Sequence, residues 1–134
     1  MSMRKAREAA FSCVYASLFT EQNISELIEN FRFKLKDDEK NLAFKILSCV
    51  ATSGDEIRQE MNAILKAKQP ALLTALLFAS LAELLCEINP PSVVISEWVE
   101  IAKTFGERYH GKVVHAVLDR VLSKKRENRQ ENDL

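Results

Sequence analysis

The sequence predicts an all-α fold: a compact single-domain helical bundle of about six to seven helices. Three observations carry this. Only three Gly and three Pro occur in 134 residues, too few turn formers for a sheet of many hairpins. Apolar residues recur three and four positions apart through most of the chain, the period of a helix with one buried face. A composition of 47% apolar and 28% charged residues suits a soluble domain long enough to bury a core.

The first helix is expected from about Arg4 to Phe19, with Ala10, Phe11, Val14 and Leu18 on one side and Lys5, Glu8 and Ser12 on the other. It opens with RKARE, so Arg4, Lys5 and Arg7 sit where the positive end of the helix dipole favours acids. A use other than helix stability is therefore expected for them. Asn23 followed by Glu26 resembles a capping box and starts a second helix, ending near Leu35. Asp37 and Asp38 open a third, whose stripe Leu42, Ala43, Ile46, Leu47, Val50 resumes beyond Gly54 as Ile57, Met61, Ile64, Leu65. One long helix is favoured over two, because a single interior Gly costs only about 1 kcal/mol.

Pro70 suits the start of a fourth helix, Ala71 to about Glu87, apolar nearly all round and so central in the bundle. Asn89, Pro90 and Pro91 break the chain. The next stretch, SVVISEWVEIAKTF, turns Val94, Ile95, Trp98, Val99, Ala102 and Phe105 inward and stops at Gly106. After the loop GERYHG, the last helix runs from Lys112 to about Arg126 on Val113, Val114, Val117, Leu118 and Val121. The tail RENRQENDL has no apolar residue before Leu134 and is expected to be disordered. The domain is thus 1–126 and the tail 127–134.

Several function classes are disfavoured. The longest apolar run, Ala71 to Ala82, is too short to cross a bilayer, and no apolar signal segment follows the N-terminal charges; a cytoplasmic protein is expected. Cys13, Cys49 and Cys86 are odd in number and lie far apart in apolar stretches, which points to buried inert thiols. There is no glycine-rich phosphate loop, no GxSxG and no HExxH. His110 and His115 are five apart, off the spacing of a helical metal pair, and His115 within VVHAVLD reads as a packed side chain. No catalytic residue, metal or cofactor is expected.

A binding surface remains. The net charge is zero, yet Lys103 to Arg126 carries a balance of +5 and the first seven residues +3, leaving −8 elsewhere. Basic ends around an acidic middle suit a polyanion bound on one face, as well as merely solvated helix ends. In FGERYHGK, Arg108, Tyr109, His110 and Lys112 set cations beside an aromatic ring, a combination able to neutralise phosphates and stack an unpaired base. Tyr15 reads as core packing with its hydroxyl at the rim, or as a partner contact.

The opening RKARE with AAFSCVYASL resembles the start of the NusB family of bacterial transcription antitermination factors, which begin RxARE and end that helix in ALY. PPSVVISEWVEIAKTFGERYHGKVVHAVLDRV is similar to the family's P, VAINEAVELAKxFG, short loop and KFVNGVLD, without gaps from Pro90 through Asp119. Residues 22–69 share only the helical pattern.

The resemblance implies an all-helical fold of two packed sub-bundles and no enzymatic activity. It implies binding to the boxA element, a single-stranded RNA of ribosomal RNA leaders, together with the small-subunit ribosomal protein NusE, within the RNA polymerase antitermination complex. It places Arg4, Lys5 and Arg7 at the family's RNA-contacting start, and Lys112 and Val113 at its KF. Tyr15 matches the tyrosine of ALY and Glu83 the glutamate of YEL, both facing the protein partner. The chain departs from the pattern at Leu77-Phe78, where the family has LR, at Ser96-Glu97-Trp98 for NEA, and at Val114-His115-Ala116 for VNG. Two alternatives stand beside this one. The first is a helical interaction module, self-associating as a homodimer without RNA function. The second is a stand-alone relative of the RNA-binding domain of ribosomal RNA 5-methylcytosine methyltransferases.

Overall fold

The structure, a computed structural model, describes residues 3–19 and 35–132. Within them lie five helices and no strand: α1 (Arg4–Ser17), α2 (Asp37–Ile64), α3 (Ala71–Leu85), α4 (Pro91–Phe105) and α5 (Arg108–Asn132). The all-helical class is as the sequence predicts. The helix expected from Asn23 lies outside the described residues.

α3 is the hub and touches every other described helix. From Ala75 to Leu84 every residue is buried, so the helix needs no polar face. Leu73, Leu76, Leu77 and Leu81 have no exposed surface, and burying each such side chain is worth about 1.5–3 kcal/mol. α1 and α2 pack on one side of it, while α4 and α5 pair closely with each other on another. Two sub-bundles thus share one central helix.

α2 starts as the acids at its head predict. The Lys36 N–H donates to the Glu39 carboxylate at 2.8 Å, and Asp37, Asp38 and Glu39 occupy the first turn. One helix does run past Gly54, kinked at Ser53 with φ −115° and ψ 18°. α3 ends in a Schellman turn: the Glu87 N–H reaches the Leu84 carbonyl at 3.2 Å and the Ile88 N–H the Glu83 carbonyl at 3.2 Å. Glu87 takes the left-handed position usual for glycine there, φ 54°, at a cost of about 1–2 kcal/mol.

Three expectations are corrected. α5 starts at Arg108 instead of Lys112, so Arg108, Tyr109 and His110 form a helix turn and only Gly106 and Glu107 link the helices. The His110 ring fixes this start, its Nδ1 accepting the Glu107 N–H at 2.6 Å. α5 also continues to Asn132, so residues 127–132 are helical where a disordered tail was expected. The cause is tertiary: Lys125 Nζ donates to the Leu85 carbonyl at 3.0 Å and to Glu87 at 3.3 Å, and Arg129 pairs with the same carboxylate. Finally, Cys49 of α2 and Cys86 at the end of α3 are disulfide-bonded, with Cα atoms 6.6 Å apart and 37 positions between them in sequence. Cys13 is the free thiol; burial pushes its pKa up to about 11 and makes it unreactive.

Candidate nucleic-acid interface

The three bases of RKARE have different fates. Arg7 is buried, and its guanidinium grips Glu83 from two directions: Nε donates to Oε1 at 2.8 Å and Nη2 to Oε2 at 2.6 Å. The same carboxylate accepts the Trp98 indole N–H at 2.7 Å and the Asn89 side-chain amide at 2.9 Å. The fork of Arg fits a carboxylate bidentately, and the other two donors fill the remaining lone pairs. This node ties α1, α3 and α4 together inside the core. It corrects two expectations, because Arg7 has no surface for RNA and Glu83 none for a protein partner. Arg4 is half-buried and Lys5 exposed; neither forms an ion pair among the described residues.

The second basic element is better exposed. Arg108, Tyr109 and Lys112 all face solvent on the first turns of α5, while Val113 packs against the core and adds only an edge. Lys103, Arg108, Lys112 and His115 line an open cleft of about 490 Å³ with Val99 and Gly111, and no acid is among its lining residues. Gly111 shapes this cleft: a Cβ there would press on the Lys103 side chain, 2.9 Å from Cγ. Its absence lets Lys103 of α4 lie across the start of α5. The sequence reading missed Lys103 and placed His115 in the core; His115 is exposed. Its signal was available, since His115 falls seven positions after Arg108 and so on the same helical face. His110, by contrast, is buried and holds the turn.

Chemically the cleft can neutralise an anion with Arg108, Lys112 and His115 and with Lys103, which also pairs with Glu100 at 3.5 Å; Tyr109, next to Arg108 in the same turn, is half-exposed with its ring 4.3 Å from that of His110. Tyr15 borders a separate patch. Its ring lies 6.2 Å from that of Phe11 and 5.1 Å from that of Phe19, and Phe11 meets Phe105 at 5.6 Å. Tyr15 and Phe105 are both partly exposed, so aromatic surface runs from α1 to the end of α4. Phe105, expected inward, thus reaches solvent. Among the described residues no group of three or more His, Cys, Asp or Glu could hold a metal ion, and no helix is long and apolar enough to cross a membrane.

A family model described as NusB family matches residues 4–123, nearly all of the folded chain. The chain belongs to the NusB family. Two relatives named transcription antitermination protein NusB are each 31% identical to it. The one from Edwardsiella ictaluri matches over 95% of this chain and 96% of its own; that from Staphylococcus haemolyticus matches over 90% and 99%. A solved structure of T. maritima NusB superposes with a TM-score of 0.81 over 90% of each chain at 23% identity, a likeness of fold. Arg58 of α2 lies over the ring of Phe78 in α3, 5.5 Å from its centroid.

Proposed function

We propose that the chain is a transcription antitermination factor that binds single-stranded RNA of the boxA type, acting in the cytoplasm as a non-catalytic adaptor. The observation that carries this reading is the cleft lined by Lys103, Arg108, Lys112 and His115 with no acid in its lining, together with the exposed Tyr109 that follows Arg108 in the same turn. Cations there neutralise backbone phosphates, and the tyrosine ring accepts an unpaired base. Arg4 and Lys5 add two bases at the start of α1. The aromatic patch around Tyr15 and Phe105 would take the protein partner, a ribosomal protein of the NusE kind, within the RNA polymerase antitermination complex. Names of the family's relatives support the process; the exposed bases support the ligand class.

The test is a titration of the purified chain against a boxA-like RNA and a scrambled control, at two salt concentrations, with and without the ribosomal protein. Tighter binding to boxA that improves with the partner and weakens with salt is expected, since each phosphate neutralised on a single strand steepens the salt slope by about 0.7. Absence of binding to either RNA would overturn the reading, and a stable homodimer in the same preparation would favour an interaction module.

A further inference from the structure

The RNA-binding reading explains the start of α5 and leaves its remaining 20 or so residues without a role. Their charges are not randomly placed. Arg108, Lys112, His115, Asp119 and Arg126 follow one another at positions i, i+4, i+7, i+11 and i+18, which a helix of 3.6 residues per turn sets in a single stripe. All five are exposed, and the stripe lies opposite the buried Val114, Val117, Leu118 and Val121.

The bases of α5 also divide by partner. Lys124 pairs with Glu60 at 3.6 Å, and Lys125 and Arg129 both pair with Glu87. Those side chains fasten the helix to the bundle. Arg108, Lys112, Arg120 and Arg126 form no ion pair among the described residues; Arg120, twelve positions after Arg108, projects to one side of the stripe. Arg126 lines a second cleft of about 170 Å³, between Pro91 and the end of α5, in which Glu87 is the acid and is already engaged by two bases. On the stripe itself the unpaired bases therefore fall at the two ends, about 27 Å apart at 1.5 Å per residue.

We propose that the outer face of α5 is a backbone track: one RNA strand enters at the Lys103, Arg108, Lys112 and His115 cleft and is held again at Arg126, five turns along. This inference rests on the RNA-binding reading and deepens it by assigning a path and a second phosphate contact. Asp119 is the acid on the stripe between the two ends, and the strand bridges it without close contact, since a carboxylate repels phosphate. The consequence is a length dependence. A short RNA is satisfied by the first cleft alone, whereas a longer one reaches Arg126 and gains a contact.

The experiment compares single-stranded RNAs of about 4 and about 12 nucleotides, lengths that span ordinary single-strand site sizes, on the full chain. Arg126→Glu is expected to weaken the longer RNA at least about fivefold and to flatten its salt slope by about 0.7, leaving the shorter RNA unchanged. Arg126→Gln should act in the same direction with a smaller loss, and helix content by circular dichroism should match the wild type for both. Unchanged affinity of both variants for the longer RNA overturns the track while leaving the first cleft standing. A wild-type chain that binds neither RNA overturns the track and the RNA-binding reading together.

Discussion

Two helices of this protein open on bases, and the bases do opposite jobs. α1 begins RKAR and α5 begins RYHGK, both against the preference of a helix start for acids. In α1 the decisive cation, Arg7, turns inward and meets Glu83 across the core. In α5 the cations Arg108 and Lys112 stay in water around a cleft that no acid lines. A run of charge in sequence therefore does not say whether it serves folding or binding. What decides is whether the fold brings a buried acid within reach.

The sharpest way to break this comparison is to remove one base from each helix. Arg7→Ala leaves the Glu83 carboxylate buried without its cation and should cost about 3–5 kcal/mol in urea unfolding. Arg108→Ala should stay within about 0.5 kcal/mol, as surface changes do. A mild Arg7→Ala would mean that Trp98 and Asn89 alone satisfy the carboxylate. The next effect concerns the other tie within the core. Reducing the Cys49–Cys86 bond opens a loop of 37 positions and should lower stability by roughly 3–4 kcal/mol on the loop-entropy account. Cys86→Ser should match the reduced wild type, and identical melting of oxidised and reduced protein would show that the crosslink contributes nothing.

These ties were the features hardest to see in the sequence. The helical fold was legible, because Gly and Pro are scarce and the apolar stripes of α2, α4 and α5 keep a helical period over many residues. The central role of α3 was legible too, from a stretch apolar on every side. Arg7 and Glu83 lie 76 positions apart, and Cys49 and Cys86 37 apart, so no local pattern could pair them. The end of α5 failed for the same reason: RENRQEN is polar enough to look disordered, and the pairing of Lys125 and Arg129 with Glu87 is distant in sequence. At the candidate interface the sequence singled out Arg108, Tyr109 and Lys112. It missed Lys103, which reaches the cleft from the preceding helix over Gly111.

Smaller effects sharpen the comparison at the far end of α5. The hydrogen bond from Lys125, with its charge and that of Arg129, holds the Glu87 carboxyl below its ordinary value of 4.5. A depressed folded pKa means stabilisation that is present above the ordinary value and lost as pH falls through the lowered one. Protection of the last-turn amides of α5, relative to free exchange at the same pH, should therefore fall as pH drops from the ordinary carboxylate value through the lowered one, and Glu87→Gln should remove that dependence. The smallest expected change is at Asp119, where Asp119→Asn should tighten binding of a long RNA about twofold by removing repulsion between the two basic ends. No change would place the strand to one side of that residue.

The most direct test is the double variant Arg108→Glu, Lys112→Glu, measured for RNA affinity and for unfolding midpoint in parallel. Loss of affinity by more than about tenfold with an unchanged midpoint is the predicted result, because both side chains are exposed and neither ties the fold. Retained RNA affinity in a folded double variant would contradict the account, since the RNA would then have to be held by something other than the start of α5.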